Sequence, residues 1–441
     1  MIGPRQRYHT DVQSPSSTRP PFDSDWLDGL ADSCRRFGGG HPRFEDLYLE
    51  RRLEIRVESA AGIATCQSEG AAVRWRFPSR WAIEAATCVS ATTVSRLFSR
   101  FANRIEVPPR PSSPDGAFDA PHGWQDWARG VVERVPDQPT AIRYLARRAV
   151  VIRSDGWHRV VSPPLVRLER SAPGGPALLA VWGHPRLGAW IRACIEPPPP
   201  RPWTPPAGRR MPVVFSHGTA GTLLHELVAH LVEGDLVATR RSPLSGLGGA
   251  ALTDAAIDLV DDPTRTDLPG AFSCDDEGVP STGIALLSGG RLCGVLCDRE
   301  TAELCGVAPG RGRRADWRHP PAPRLSNLVV PSGKEDPADI EGGLTHGLVV
   351  TRLAGASVDP ISSRTVLRVE QGFEVRHGRR HRSLARFELT GSVTEILAGI
   401  DPAVGDDPTP DWRLGWCVKS GLPLPTGSEV PTMLVHRLEV L

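Results

Sequence analysis

The chain has no long apolar run. Its uninterrupted apolar stretches, such as residues 283–287 and 348–350, fall far short of the roughly 20 residues that a membrane-spanning helix needs. The opening segment, MIGPRQRYHTDVQSPSSTRPPFDSD, lacks the apolar core of a secretory signal. Net charge is nearly absent at +1, so no bulk field draws the chain to nucleic acid or to an anionic membrane. Cysteine is sparse, nine in 441 residues, which excludes a disulfide scaffold. Reduced thiols in a cytoplasmic protein are expected, with one available as a ligand. Methionine occurs three times and lysine is scarce beside arginine, a bias that fits a GC-rich genome better than a function.

What is present is ordinary for a soluble globular protein: 40% hydrophobic and 23% charged residues. The length allows two or three domains. Residues 1–21 read as a flexible tail, and 23–37 as a helix capped by Asp23 or Ser24. FEDLYLERRLEIRVES (44–59) alternates apolar and polar residues and predicts a strand; SEGAAVRWRF (68–77) predicts a second. Residues 79–103 read as one long helix and 108–138 as a long loop. Residues 147–184 read as several antiparallel strands with turns at SDG and APGG. EPPPPRPWTPPAGRR (196–210) holds seven prolines and predicts a stiff, polyproline-like connector. The division is thus an N-terminal α/β domain (22–198), a Pro-rich connector (199–210) and a C-terminal domain (211–441). In the latter, strands are expected at 211–215, around the turn 288–290 and on both sides of Gly378. Helices are expected at 220–233 and near 337–347 and 392–399. The fold class is α+β, with a largely antiparallel C-terminal β domain carrying the 220–233 helix.

That helix contains HELVAHLVEGD (225–235). His225 and His230 are five apart, where common zinc-protease motifs place histidines four apart. On an ideal α-helix, five residues turn the chain about 140° off register, so the two imidazoles diverge. A π-bulge absorbs one residue and brings them back to one face. The residues alone leave two readings open. One is a metal site; the other is two unrelated histidines on a core helix, with Leu223, Leu224, Leu227, Val228, Leu231 and Val232 as its buried stripe.

Context shifts the balance. HELVAHLVEGD resembles the HExxxH…EGD motif of the TldD/PmbA family. SPLSGL (242–247), CDDEGVPS (274–281), the run 289–327 ending in PRLSN, and GWCVKSGLPLPTGSEVPTMLVHRLEV (415–440) continue the likeness collinearly over about 230 residues. The N-terminal half is similar only through FEDLYLE and VVIRSDG. The resemblance implies a zinc metallopeptidase in which His225, His230 and Cys417 bind Zn2+. Two imidazoles and one thiolate leave a fourth position open for water. Glu226 is then the general base. It further implies a peptide substrate, unfolded or extended, enclosed in a dimeric cavity. The partner is a second copy or a metal-free PmbA/TldE-like paralogue. Because the His-Glu-His motif is present, the chain resembles the catalytic TldD side. Val418, Leu422 and the glycine-poor SEGAAVRWRF depart from the family pattern. They bear on substrate handling rather than on the ligands. A different class of function, a non-catalytic dimer scaffold, is the alternative.

Cys293, Cys297, Cys34, Cys66, Cys88 and Cys194 read as core thiols. RHGRRHR (376–382) reads as a solvated turn, so nucleic-acid binding is not expected. Arg314 and Arg324 are candidates for contacting substrate backbone or carboxylate, against plain structural pairing. Asp276 and Glu277 are candidates to support the histidines.

Overall fold

A computed structural model describes residues 22–35, 43–58, 62–78, 81–99, 107–108, 110, 119–133, 140–170, 178–195, 202–412 and 415–441. The tail expected at 1–21 lies outside the described residues. Helix α1 (Ser24–Arg35) begins at its expected cap, where the Asp23 carboxylate accepts from the Trp26 amide at 3.0 Å. Strands β1 (Arg43–Glu58), β2 (Gly62–Arg76), β3 (Trp81–Ala86), β4 (Thr140–Arg153), β5 (Gly156–Val161), β6 (Leu165–Arg170) and β7 (Leu178–Val181) form one antiparallel sheet. Its order is β3-β2-β1-β4-β6-β7, with β5 also on β4. Alternation along β1 feeds two faces. Leu47 and Leu49 pack with α1, while Tyr48 between them joins Phe272 and Trp317 from the C-terminal half.

Two N-terminal expectations are corrected. Residues 81–86 are strand, not helix, because the free edge of β2 pairs with them from Ala71↔Ala86 to Arg76↔Trp81. Cross-strand pairing outweighs a helical spacing of apolar residues. The helix begins only after Ser90, whose hydroxyl accepts from the Thr93 amide at 3.1 Å, and runs as α2 (Ala91–Ser99). The segment read as a loop contains α3 (Trp124–Val132), whose Trp124, Ala128, Val131 and Val132 are buried at helical spacing. A further helix, α4 (Leu187–Ile195), occupies a stretch that the sequence left unassigned.

The C-terminal half begins with β8 (Arg210–Phe215), the strand expected there. Its later strands are β9 (Leu259–Asp261), β10 (Ile284–Ser288), β11 (Arg291–Leu292), β12 (Gly312–Arg313), β13 (Ala322–Pro323) and β14 (Asn327–Val329). Then come β15 (His346–Asp359), β16 (Arg364–Arg376), β17 (Arg379–Ser383), β18 (Phe387–Ser392) and β19 (Ile400–Val404). The last are β20 (Thr409–Pro410), β21 (Trp416–Lys419), β22 (Leu422–Pro425), β23 (Gly427–Val430) and β24 (Met433–Val440). They build a sheet of order β15-β8-β24-β18-β16-β17, a second of order β11-β10-β9-β14-β23-β20, and the β21–β22 hairpin. The motif helix lies in the large apolar core among these elements. The fold is α+β and largely antiparallel, as expected. Of the proline-rich segment, Trp203 is pinned to the C-terminal half by backbone bonds to Ser383 and Ala385, both at 2.8 Å. The basic turn 376–382 is matched by acids: Arg376 and Arg382 by Glu374, and Arg380 by Glu341.

The two halves are joined by buried ions. Arg74 on β2 bonds Asp46 of β1 and Glu277 of the C-terminal half. Arg314 bonds the same Asp46 at 3.1 Å, and Arg147 on β4 bonds Asp276. Asp46 and Glu277 are fully buried. Removing one member of such a network strands its partners in a medium that solvates charge poorly. Glu277→Ala is therefore expected to lower stability by about 3–5 kcal/mol, read as a shift of the chemical-denaturation midpoint. A shift below about 1 kcal/mol would mean that the network is solvated.

Candidate metal centre

Helix α5 (Thr219–Leu224) enters the core from Gly218, which adopts φ 81°. A Cβ there would lie 2.6 Å from the Thr409 carbonyl oxygen, so glycine is required. The helix then widens. His225–Ala229 is a single π-helical turn, with the His230 amide bonded to the His225 carbonyl, and His230–Val232 tightens to a 3-10 turn. The widened turn stacks residues five apart. The two imidazole rings accordingly meet at 4.7 Å between centroids, tilted by 73°. Leu223, Leu224, Leu227, Val228, Leu231 and Val232 are buried, anchoring the opposite side.

The hairpin β21–β22 brings Cys417 to these histidines across 187 residues of sequence, with Sγ 3.3 Å from His230 Nε2. One nitrogen from each histidine and this sulfur lie within 4.8 Å of one another. Among the described residues no other group of three such side chains converges this closely. Burial would push the Cys417 thiol up, but the two imidazoles outweigh it and hold the thiol well below its ordinary range. Burial would push His230 down, and Cys417 with Glu233 outweighs it in turn. A thiolate facing two imidazoles is the donor set of a divalent transition metal, so the residues fit one.

Support comes from the first residue of the E-G-D stretch, for which the motif alone predicts no role. Glu233, fully buried, accepts at 3.3 Å from Nδ1 of His230, on the far side of the ring from Cys417. Burial would raise its carboxyl, but His230, Lys419 and Arg324 hold it at about 2. Lys419 Nζ donates to Glu233 and to Asp235, each at 2.7 Å. The E-G-D following the second histidine was the available signal: helix α6 (Gly234–Ala238) starts there, just past the ring it supports. A carboxylate behind a ligand histidine fixes its tautomer and orientation. Glu233→Gln is thus expected to weaken metal affinity about 10–100-fold, measured by competition with a chromophoric chelator. Unchanged affinity would remove Glu233 from this role.

Of the other candidates, only Arg324 touches this centre. Asp276 and Glu277 make no contact with the histidines. Their carboxylates are taken by Arg147 and the Arg314 amide, and by Arg74 and the Arg299 amide. Arg314 is fully buried, bonded to Asp46 and to the His319 carbonyl at 3.1 Å each. Arg324 donates to the carbonyls of Cys417 and Leu422, at 2.6 and 3.1 Å, and so clamps the ligand hairpin. Cys34, Cys194 and Cys297 are buried as expected, whereas Cys66, Cys88 and Cys293 are exposed. Cys66 lies in the outer half of β2, which extends beyond the core, and so alternation there does not mark burial.

The centre opens into a cleft of about 460 Å³. His225, Glu226 and His230 line one side; Gly355, Ala356, Ser357 and Val358 of β15 line another. Glu226 is half-buried there.

Residues 208–441 match the family model described as the PmbA/TldA metallopeptidase C-terminal domain. A protein of Haemophilus influenzae named metalloprotease TldD homolog is 33% identical over 236 residues, 53% of this chain and 48% of that protein. A metalloprotease of Methanothermobacter thermautotrophicus is 28% identical over 239 residues, 54% of this chain and 51% of that protein. The chain thus spans about half the length of the curated relatives it matches. The crystal structure of TldE from Thermococcus kodakarensis superposes with a TM-score of 0.68 at 17% identity, covering 94% of this chain and 99% of that one, and shares its fold. No described helix is long and apolar enough to cross a membrane. With more than half of its length matched, by a segment that holds His225, His230 and Cys417, the chain belongs to the PmbA/TldD metallopeptidase family.

Proposed function

We propose that the chain is a zinc-dependent peptidase that hydrolyses extended peptides in the cleft beside His225, His230 and Cys417. The observation carrying this reading is the convergence of those three ligand atoms within 4.8 Å, with Glu226 lining the same cleft. Zinc held by two imidazoles and a thiolate supplies a Lewis acid that polarises a carbonyl and lowers the pKa of water to about 7. Glu226, next to His225 in sequence, takes the proton from the attacking water on a carboxylate oxygen and returns it to the leaving amine. Glu233 and Lys419 keep His230 oriented while this happens.

The substrate conformation follows from β15. Its first half pairs with β8 at Leu348–Val350, but beyond Leu353 it pairs only with β16 among the described strands. Residues 355–358, which have no second partner strand among the described strands, line the cleft. An extended peptide adds there through its backbone, with little demand on its side chains. A partner, either a second copy or a metal-free paralogue, encloses the cleft in this reading.

The test is digestion of an unfolded protein and of its folded form by zinc-loaded protein, with and without chelator. Cleavage of the unfolded form alone, abolished by chelator, is expected. N-methylation of the peptide backbone at the edge-pairing positions is expected to stop cleavage. Absence of chelator-sensitive cleavage by the metal-loaded chain and its partner would end the proposal.

A further inference from the structure

A second cleft, about 340 Å³, adjoins the first. Trp416 lines both; Lys419 and Ser420 wall the metal cleft, and Leu422, Pro423, Leu424 and Pro425 wall the second. The second cleft has an apolar floor of Leu53, Leu145, Leu165 and Phe272 and a conspicuous number of arginines. Most of these are already matched. Glu50 pairs with Arg52 and Arg147, Glu54 with Arg143, Glu169 with Arg167, and Asp46 with Arg314.

Arg313 on β12 is different. It is 6% exposed, and its guanidinium donates to the backbone carbonyls of Leu325 and of Pro425, the latter at 2.8 Å. It stands 5.3 Å from the Phe272 ring centroid. Among the described residues no carboxylate lies within ion-pair distance of it. Burial pushes its guanidinium down to about 10, with Asp276 offsetting only part of that. The neighbouring Asp275 does not compensate, because burial and the Glu277 charge push its carboxyl up to about 8. A buried cation without a partner is costly, and an arriving anion relieves the cost. The planar guanidinium suits a carboxylate.

We propose that this cleft anchors the free C-terminal carboxylate of the peptide on Arg313, with the last side chain on its apolar floor. The assignment rests on the peptidase reading for the nature of the ligand. Its spacing from the metal centre is set by the hairpin. Trp416, which precedes Cys417, pairs with Pro425, whose carbonyl accepts from Arg313. One cross-strand step, one hydrogen bond and one residue step sum to on the order of 10 Å, about three extended residues. The anchor therefore selects bonds a few residues from a free C-terminus, and short C-terminal fragments are the expected products. Of the arginines singled out by sequence, Arg314 lines this cleft but is paired with Asp46, and Arg324 is taken by the carbonyls of Cys417 and Leu422.

The experiment compares three forms of one unstructured peptide ending in leucine: the free acid, the C-terminal amide, and an amide carrying glutamate at the last position. Binding is read on metal-loaded Glu226→Gln protein by calorimetry, and cleavage on the wild type by mass spectrometry. The free acid is expected to bind about 10–100-fold tighter than either amide. Arg313→Gln is expected to bring acid binding down to the amide level, with metal content unchanged. The comparison of peptides on unmodified Arg313 needs no variant to fold. Equal binding of acid and amide overturns the anchor, as does absence of binding by all three. Tight binding of the glutamate amide would replace the terminal carboxylate by a side-chain one and overturn the assignment as stated. Equal cleavage of acid and amide leaves the peptidase reading standing without the anchor. Discrimination in binding without any cleavage does the reverse.

Discussion

Cys417→Ala protein is expected to purify folded, with far less than one metal ion per chain and without peptidase activity. Sites with four ligands hold zinc with roughly 10–16 kcal/mol, about 2.5–4 kcal/mol for each ligand, so losing one weakens binding about 10²–10³-fold. The loss is also qualitative. His225 and His230 come from one helical turn, whereas Cys417 is the ligand brought from the distant hairpin. The substitution removes a sulfur and leaves the backbone anchoring intact, because Arg324 holds the carbonyl of residue 417 rather than its side chain. Circular dichroism and the melting transition separate this result from unfolding. Full metal content in a folded Cys417→Ala protein would contradict the three-ligand site.

Glu226→Gln is the complementary case. It keeps all three ligands and is expected to bind metal as the wild type does, while kcat falls by about 10²–10⁴-fold. The reason is chemical: an amide is close to a carboxylate in shape but cannot accept the proton of the attacking water. KM is expected to change little, because the proposed binding surfaces are the β15 edge and the second cleft, not the Glu226 carboxylate. Together the two variants split the site. One loses metal and activity; the other loses activity alone. Near-normal turnover in Glu226→Gln would transfer the base role to another group or end the proposed mechanism.

Local signals carried much of this architecture. The five-residue spacing of His225 and His230 calls for a π-turn if both are to face one ion, and the helix makes that turn. Alternation marked β1, and the Gly378 turn marked the β16–β17 hairpin. Long-range information was not legible from residue patterns. Trp81 to Ala86 read as helix because only the pairing with β2 makes them strand. Asp276 and Glu277 read as candidate support for the histidines but are drawn into the ion network by Arg147 and Arg74, residues of the other half of the molecule. Cys417 was singled out by family resemblance alone, since its surroundings in sequence read as an ordinary core strand. The role of Glu233 was not legible, because it depends on where the 3-10 turn ends and not on its neighbours' polarity. Arg313 was hidden beside Arg314: both line the second cleft, and sequence does not say which of the two has an acid beside it.

The most direct test of the metal centre is X-ray absorption at the zinc edge, with quantification, on the protein as purified. About one zinc per chain is predicted, with one sulfur near 2.3 Å and two imidazole nitrogens near 2.0–2.1 Å. A stoichiometric zinc with no sulfur neighbour, or no metal retained by folded protein after loading, would contradict it.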